Sequence, residues 1–126
     1  MTGKHTILIV EDDEPLSQVL GDTLSSELEC NVLIAPNGAD GLEQALKEHP
    51  DLILLDIVMP IMDGIAMLRK LREDSWGEKA HVILLTNVSE NEKLAEALEM
   101  GTYEYLVKSD HTVEEIAEIV KDRLQG

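Results

Sequence analysis

The stretch "DLILLDIVMP", residues 51–60, places four aliphatic side chains in a row, Leu52 to Leu55, and closes them with a carboxylate at Asp56. Such a run, without polar alternation, predicts a strand covered on both faces, as in a parallel sheet. An ionised Asp inside that core would be costly without a partner. Asp56 is therefore expected just past the strand's carboxyl end, where it is available for chemistry.

The same pattern recurs on either side. "TILIV" (6–10), "NVLIA" (31–35), "DLILLD" (51–56), "HVILLT" (81–86) and "YEYLVK" (103–108) are short runs rich in Ile, Leu and Val. Between and after them, apolar residues return at helical spacing. They are Leu16, Val19, Leu20, Leu24 and Leu28; Leu42, Ala45 and Leu46; Ile65, Leu68 and Leu71; Leu94, Ala97 and Leu98; and Val113, Ile116, Ala117, Val120 and Leu124. Ser89 with Glu92, and Thr112 with Glu115, fit the capping box at a helix start. Asn37 fits a cap before 38–48, Asp63 one before the third helix, and Gly101 a helix end needing φ > 0. Strand and helix thus alternate five times. Right-handed crossovers then put helices on both faces of one parallel sheet. The expected fold class is α/β, a doubly wound five-stranded parallel sheet of order 2-1-3-4-5 with five helices.

Composition narrows the function. The 126 residues suit one domain, and no run is long enough to span a bilayer. Cys30 is the only cysteine, so no intrachain disulfide forms and a cytoplasmic setting is expected. It reads as a small core residue, and the scattered His5, His49, His81 and His111 as surface or element-end residues. Trp76 reads as a surface or packing residue. The net charge of −16 disfavours nucleic acid and anionic membrane as partners.

The strand ends carry the chemistry. The first run is followed by Glu11-Asp12-Asp13, the third ends in Asp56, the fourth in Thr86 and the fifth in Lys108. Ligands of open parallel sheets bind beyond the carboxyl ends, where strand order reverses. In order 2-1-3-4-5 that point lies between the first and third strands. It joins Glu11, Asp12 and Asp56, with Thr86 and Lys108 further along the edge; Asp13 is expected to face solvent. At ~4 Å and an effective dielectric of ~20, each carboxylate pair costs about 4 kcal/mol. Raised pKa values, a cation or the Lys108 ammonium must offset that. An open, oxygen-only cluster suits Mg²⁺ or Mn²⁺. A carboxylate in such a site can attack phosphorus, with a hydroxyl and an ammonium holding the remaining oxygens.

Taken in order, "ILIVEDDE", "LLDIVMPIMDG", "LLTN" and "YLVK" resemble the receiver domain of two-component response regulators, the CheY-like superfamily, over residues 6–125. The resemblance implies a flavodoxin-like (βα)5 fold and a single receiver domain, 1–126. It implies transfer of a phosphoryl group from a histidine kinase or His-containing phosphotransfer protein to Asp56. Small donors such as acetyl phosphate serve many members. Asp12 would touch the metal, Glu11 would act through water, and the Val58 carbonyl would be a further ligand. Thr86 would be the switch hydroxyl, Tyr105 the switch aromatic and Lys108 the phosphate-pairing lysine. Output would leave through the fourth helix, fifth strand and fifth helix to a partner the sequence does not name. Pro60 and Gly64 would shape the turn after Asp56, with Gly64 supplying an unusual backbone conformation. The chain is expected to be a stand-alone receiver or a piece of a longer protein.

Three departures from the family pattern bear on function. Asn87 replaces a small residue and is expected to narrow access to the phosphoryl group. Ser109 replaces a proline usually in a cis bond; a cis bond before Ser would cost about 3 kcal/mol, so a differently built loop is expected. Val58 and Val88 are apolar where the family flanks the path of hydrolytic water, so a long-lived phosphoryl group is expected. A phosphorylation-independent adaptor is one alternative. A haloacid dehalogenase-like phosphatase is another, but it needs an Asp where Val58 stands and a cap domain. A flavin or nucleotide binder needs a Gly/Ser/Thr-rich first loop where this chain has EDDE.

Overall fold

The computed structural model describes residues 5–87, 91–101 and 104–125. Five strands, β1 (Thr6–Val10), β2 (Asn31–Ala35), β3 (Leu52–Asp56), β4 (Val82–Thr86) and β5 (Tyr105–Val107), form one parallel sheet. Its order is β2-β1-β3-β4-β5. The helices are α1 (Glu14–Leu28), α2 (Gly38–Glu48), α3 (Gly64–Arg72), α4 (Asn91–Glu99) and α5 (Val113–Gln125).

The continuous aliphatic runs are explained by cover on both sides. Leu8, Val10, Ile53, Leu55, Val82 and Leu84 point to one face and pack with Ala45, Met67, Leu68, Leu71 and Ala97 of α2, α3 and α4. The alternate residues Ile7, Ile9, Leu52, Leu54, Ile83 and Leu85 meet Leu20, Leu24, Ile116, Ala117 and Val120 of α1 and α5. Every side chain of β3 is buried. At about 25 cal/mol per Å² of apolar surface removed from water, these two layers dominate the stability.

Local signals agree with the expected elements. Asn37 Oδ1 accepts from Asp40 N at 2.9 Å, and Asp63 Oδ1 from Ala66 N at 2.8 Å. Thr112 and Glu115 exchange both bonds of the capping box, at 2.8 and 3.1 Å. Gly101 has φ +81°. Ser89 lies outside the described residues. Cys30 is buried, its thiol directed at Leu24 O, and Trp76 stacks on His49 with ring centroids 4.3 Å apart.

Three expectations need correction. Asp56 is the last residue of β3, paired in register with Leu85 and only 3% exposed; it does not clear the strand end. The fifth strand is shorter than its apolar run: it starts at Tyr105, and Lys108 opens a short 3₁₀ turn, Lys108–Asp110. That turn is the loop beyond Lys108, and all peptide bonds among the described residues are trans. Gly64 has no positive φ. It is required for close approach, because a Cβ there would lie 2.1 Å from Asp56 O. The unusual backbone of this turn sits at Ile61, with φ +70°.

Candidate functional site

The crevice forms at the carboxyl edge between β1 and β3, where the chain leaves the two strands toward opposite faces. Glu11, just past β1, is 1% exposed and its N–H donates to Ala35 O at 3.0 Å. This bond holds the first loop against the end of β2. Glu11 Oε2 accepts from Asp13 N at 3.0 Å. Asp13 in turn caps α1, its Oδ1 accepting from Leu16 N at 3.2 Å, with Pro15 in the first turn where a missing N–H costs nothing. Asp13 faces solvent, as expected, with its carboxylate spent on the helix, and Asp12 is the exposed acid that stands with Glu11 and Asp56.

Oxygens of Glu11, Asp12 and Asp56 lie within 4.8 Å of one another. Lys108, from the end of β5, reaches back across the edge. Its Nζ stands 2.8 Å from Glu11 Oε1 and 3.2 Å from Asp56 Oδ2. Asp56 Oδ1 accepts from Ile57 N at 2.8 Å, which fixes the carboxylate's orientation. Three carboxylates thus meet one ammonium. Glu11 Oε1 is fully buried and, although close to Lys108, receives no aligned hydrogen bond.

The electrostatics follow from this imbalance. Burial, then the charge of Glu11, push the Asp56 carboxyl up to about 7; the Lys108 ammonium pulls the other way and does not prevail. At Lys108, burial works against the charged form, but the contact with Glu11 and the charge of Asp56 outweigh it, and its pKa is raised. The arrangement is short of positive charge. It can hold a hard cation, an added proton, or an anionic group whose own charge is neutralised by a cation.

The remaining predicted residues are placed as follows. Thr86 ends β4, is 2% exposed, and its Oγ1 donates to Asn87 O at 3.0 Å. Tyr105 opens β5 in register with Leu84 and is 45% exposed. Thr86 and Tyr105 share a sheet face, since Thr86 pairs with Val107 and side chains alternate along a strand. Val58 lies in the loop after Asp56 and is 49% exposed. Val88 lies outside the described residues. Sequence reading did not single out a cleft of about 280 Å³ beside Glu11 and Asp12, bounded by Ser17 and Gln18 of α1 and by Ile34 and Pro36. Its walls come from elements that only the β1–β2 pairing brings together.

The family model of the response regulator receiver domain matches residues 7–121. Chemotaxis protein CheY of Halobacterium salinarum is 35% identical over 102 residues, 81% of this chain and 82% of that protein. Regulatory protein AtoC of Escherichia coli is 36% identical over 128 residues, 99% of this chain but only 26% of that longer protein. The crystal structure of a CheY-like response regulator receiver domain protein from Methanospirillum hungatei superposes with a TM-score of 0.87 at 27% identity, covering 98% of this chain and 95% of that one.

Proposed function

The chain belongs to the response regulator receiver domain family, and on that premise we propose that it accepts a phosphoryl group on Asp56 and carries it as a signal. The observation that carries this reading is the meeting of Glu11, Asp12 and Asp56 with Lys108 in one crevice. In our reading the domain is a single receiver, residues 1–126, working in the cytoplasm. Among the described residues no helix is long and apolar enough to cross a membrane.

The donor set fits a hard divalent cation, Mg²⁺ or Mn²⁺. Three carboxylate oxygens converge, and a buried oxygen of Glu11 lacks an aligned donor. Asp12, Asp56 and the Val58 carbonyl would hold the ion, with Glu11 acting through water. Bound there, it supplies the positive charge that lets a phosphoryl group approach three carboxylates.

The side chains then divide the work. A carboxylate oxygen of Asp56 attacks phosphorus; the Asp56 O–P bond forms as the N–P bond of the donor's phosphohistidine breaks, and the imidazole leaves. Ile57 N–H keeps the carboxylate aimed. Lys108 binds a phosphoryl oxygen in place of part of its contact with Asp56. The Thr86 hydroxyl turns from Asn87 O toward the new group, and Tyr105 follows on the same sheet face, changing the α4–β5–α5 surface seen by an output protein. Val58 stands where a haloacid dehalogenase-like phosphatase requires an acid–base Asp. We therefore read the domain as a self-catalysed acceptor and not a turnover enzyme. Its donor is a histidine kinase or His-containing phosphotransfer protein.

Intact mass after incubation with acetyl phosphate and Mg²⁺ tests this. Wild type should gain one phosphoryl group and Asp56→Asn none. Equal masses in the two, with or without the ion, would favour a phosphorylation-independent adaptor.

A further inference from the structure

Three described non-glycine residues have positive φ. Glu29 and His49 are helix C-caps, where the left-handed conformation is common. Ile61 is not at a helix end, and it is β-branched, the side-chain type least suited to φ +70°. Met62 N donates to Pro60 O at 2.7 Å, so Ile61 is the apex of a three-residue turn of the strained, positive-φ kind. Its side chain is 84% exposed. Neither folding nor packing gains from an Ile in this place.

The turn is nevertheless held firmly. Gly64 N donates to Ile57 O at 2.7 Å and Gly38 N to Met62 O at 2.8 Å. Asp63 caps α3 and meets Lys93 Nζ at 3.4 Å. Ile57 and Met59 of the same loop are buried, while Val58 and Ile61 face outward. The loop starts at the peptide bond of Asp56 itself. Asp56 is 3% exposed, so a protein donor must bring its phosphohistidine into the crevice and lay its surface over the surrounding loops.

We propose that Ile61, with Val58 beside it, is a rigid apolar knob that anchors the protein phosphodonor, seating in an apolar depression next to the phosphohistidine. Because the loop is already fixed, little freedom is lost on docking, which is the condition for one residue to carry a large share of affinity. The strain is tolerated because the partner, not the fold, uses the residue. This rests on the phosphoacceptor reading of Asp56.

The test compares wild type, Ile61→Asn and Ile61→Leu with two donors and Mg²⁺. One donor is acetyl phosphate; the other is drawn from a panel of phosphorylated His-containing phosphotransfer domains as the one that labels wild type fastest. Asn tolerates the left-handed backbone. Ile61→Asn should therefore melt higher than wild type, take label from acetyl phosphate within twofold, and lose at least tenfold in transfer rate from the protein donor. Ile61→Leu should recover most of that rate. A loss below twofold, or an equal loss with both donors, overturns the proposal. So does a wild type that acetyl phosphate labels but no phosphohistidine protein does. Self-association abolished by Ile61→Asn would assign the knob to a second copy of this chain and overturn it too. If neither donor labels wild type, the phosphoacceptor reading itself fails.

Discussion

At the scale of single residues, two positions show how the crevice is built. Gly64 allows α3 to start against the backbone of Asp56, and a methyl group there would meet Asp56 O at 2.1 Å. Gly64→Ala should destabilise the protein by about 2 kcal/mol or more, and should slow acetyl phosphate labelling by displacing Asp56. Denaturant unfolding and intact mass check the two effects. Asp56 itself is held at a cost to stability. Its carboxyl is raised from 3.8 to about 7 in the metal-free fold. The folded state then binds more protons than the unfolded one between those values. The contribution is favourable below about pH 4 and is lost as pH rises through 7. Metal-free Asp56→Asn should therefore be more stable than wild type at pH 8, by about 2 kcal/mol, with the difference shrinking at pH 4. Paired denaturant titrations at the two pH values would show it. That Asp56 is a candidate for chemistry was legible from a carboxylate closing an aliphatic run. That it stays inside the strand was not, because its place in the ladder is set by pairing with Leu85 of a strand far away in the chain.

Among the elements, α3 is tied to its neighbours by one side chain that periodicity cannot reveal. Arg72 Nη1 donates to Gly77 O and Ala80 O, both at 2.8 Å, and Nε donates to Met100 O at 3.1 Å. It joins the end of α3, the segment entering β4 and the end of α4. Burial lowers its pKa, yet it remains a cation among carbonyl oxygens. Arg72→Leu should cost about 2–4 kcal/mol by leaving those carbonyls unpaired, and Arg72→Lys should recover only part, since an ammonium cannot reach three directions in one plane. Thermal unfolding of the three proteins decides it. Helix starts were readable because caps are local: Asn37, Asp63 and the Thr112–Glu115 pair act within three residues. The length of β5 was not, because nothing local in "YEYLVK" marks Lys108 as the residue that leaves the ladder for a 3₁₀ turn.

For the whole molecule, 26 acidic residues against 10 basic ones set a repulsion that every cation relieves. MgCl₂ should raise the melting temperature more than NaCl of equal ionic strength, since bound ion stabilises the state that binds it. The surplus should vanish in Asp12→Asn, an exposed substitution that leaves the core intact, and equal shifts in both proteins would argue against an ion in the crevice. Sequence by itself determined the class and the five units, and it led by inference to the strand order 2-1-3-4-5 and to one edge shared by Glu11, Asp12, Asp56 and Lys108. Double-sided burial is a property of the pattern, whereas the order in which the strands pair is written in no single run. Only the tertiary structure decided that Asp56 is buried and raised in pKa, that Gly64 serves close approach, and that Ile61 carries the strained turn. These depend on distances between groups far apart in the chain, and no local pattern encodes such distances.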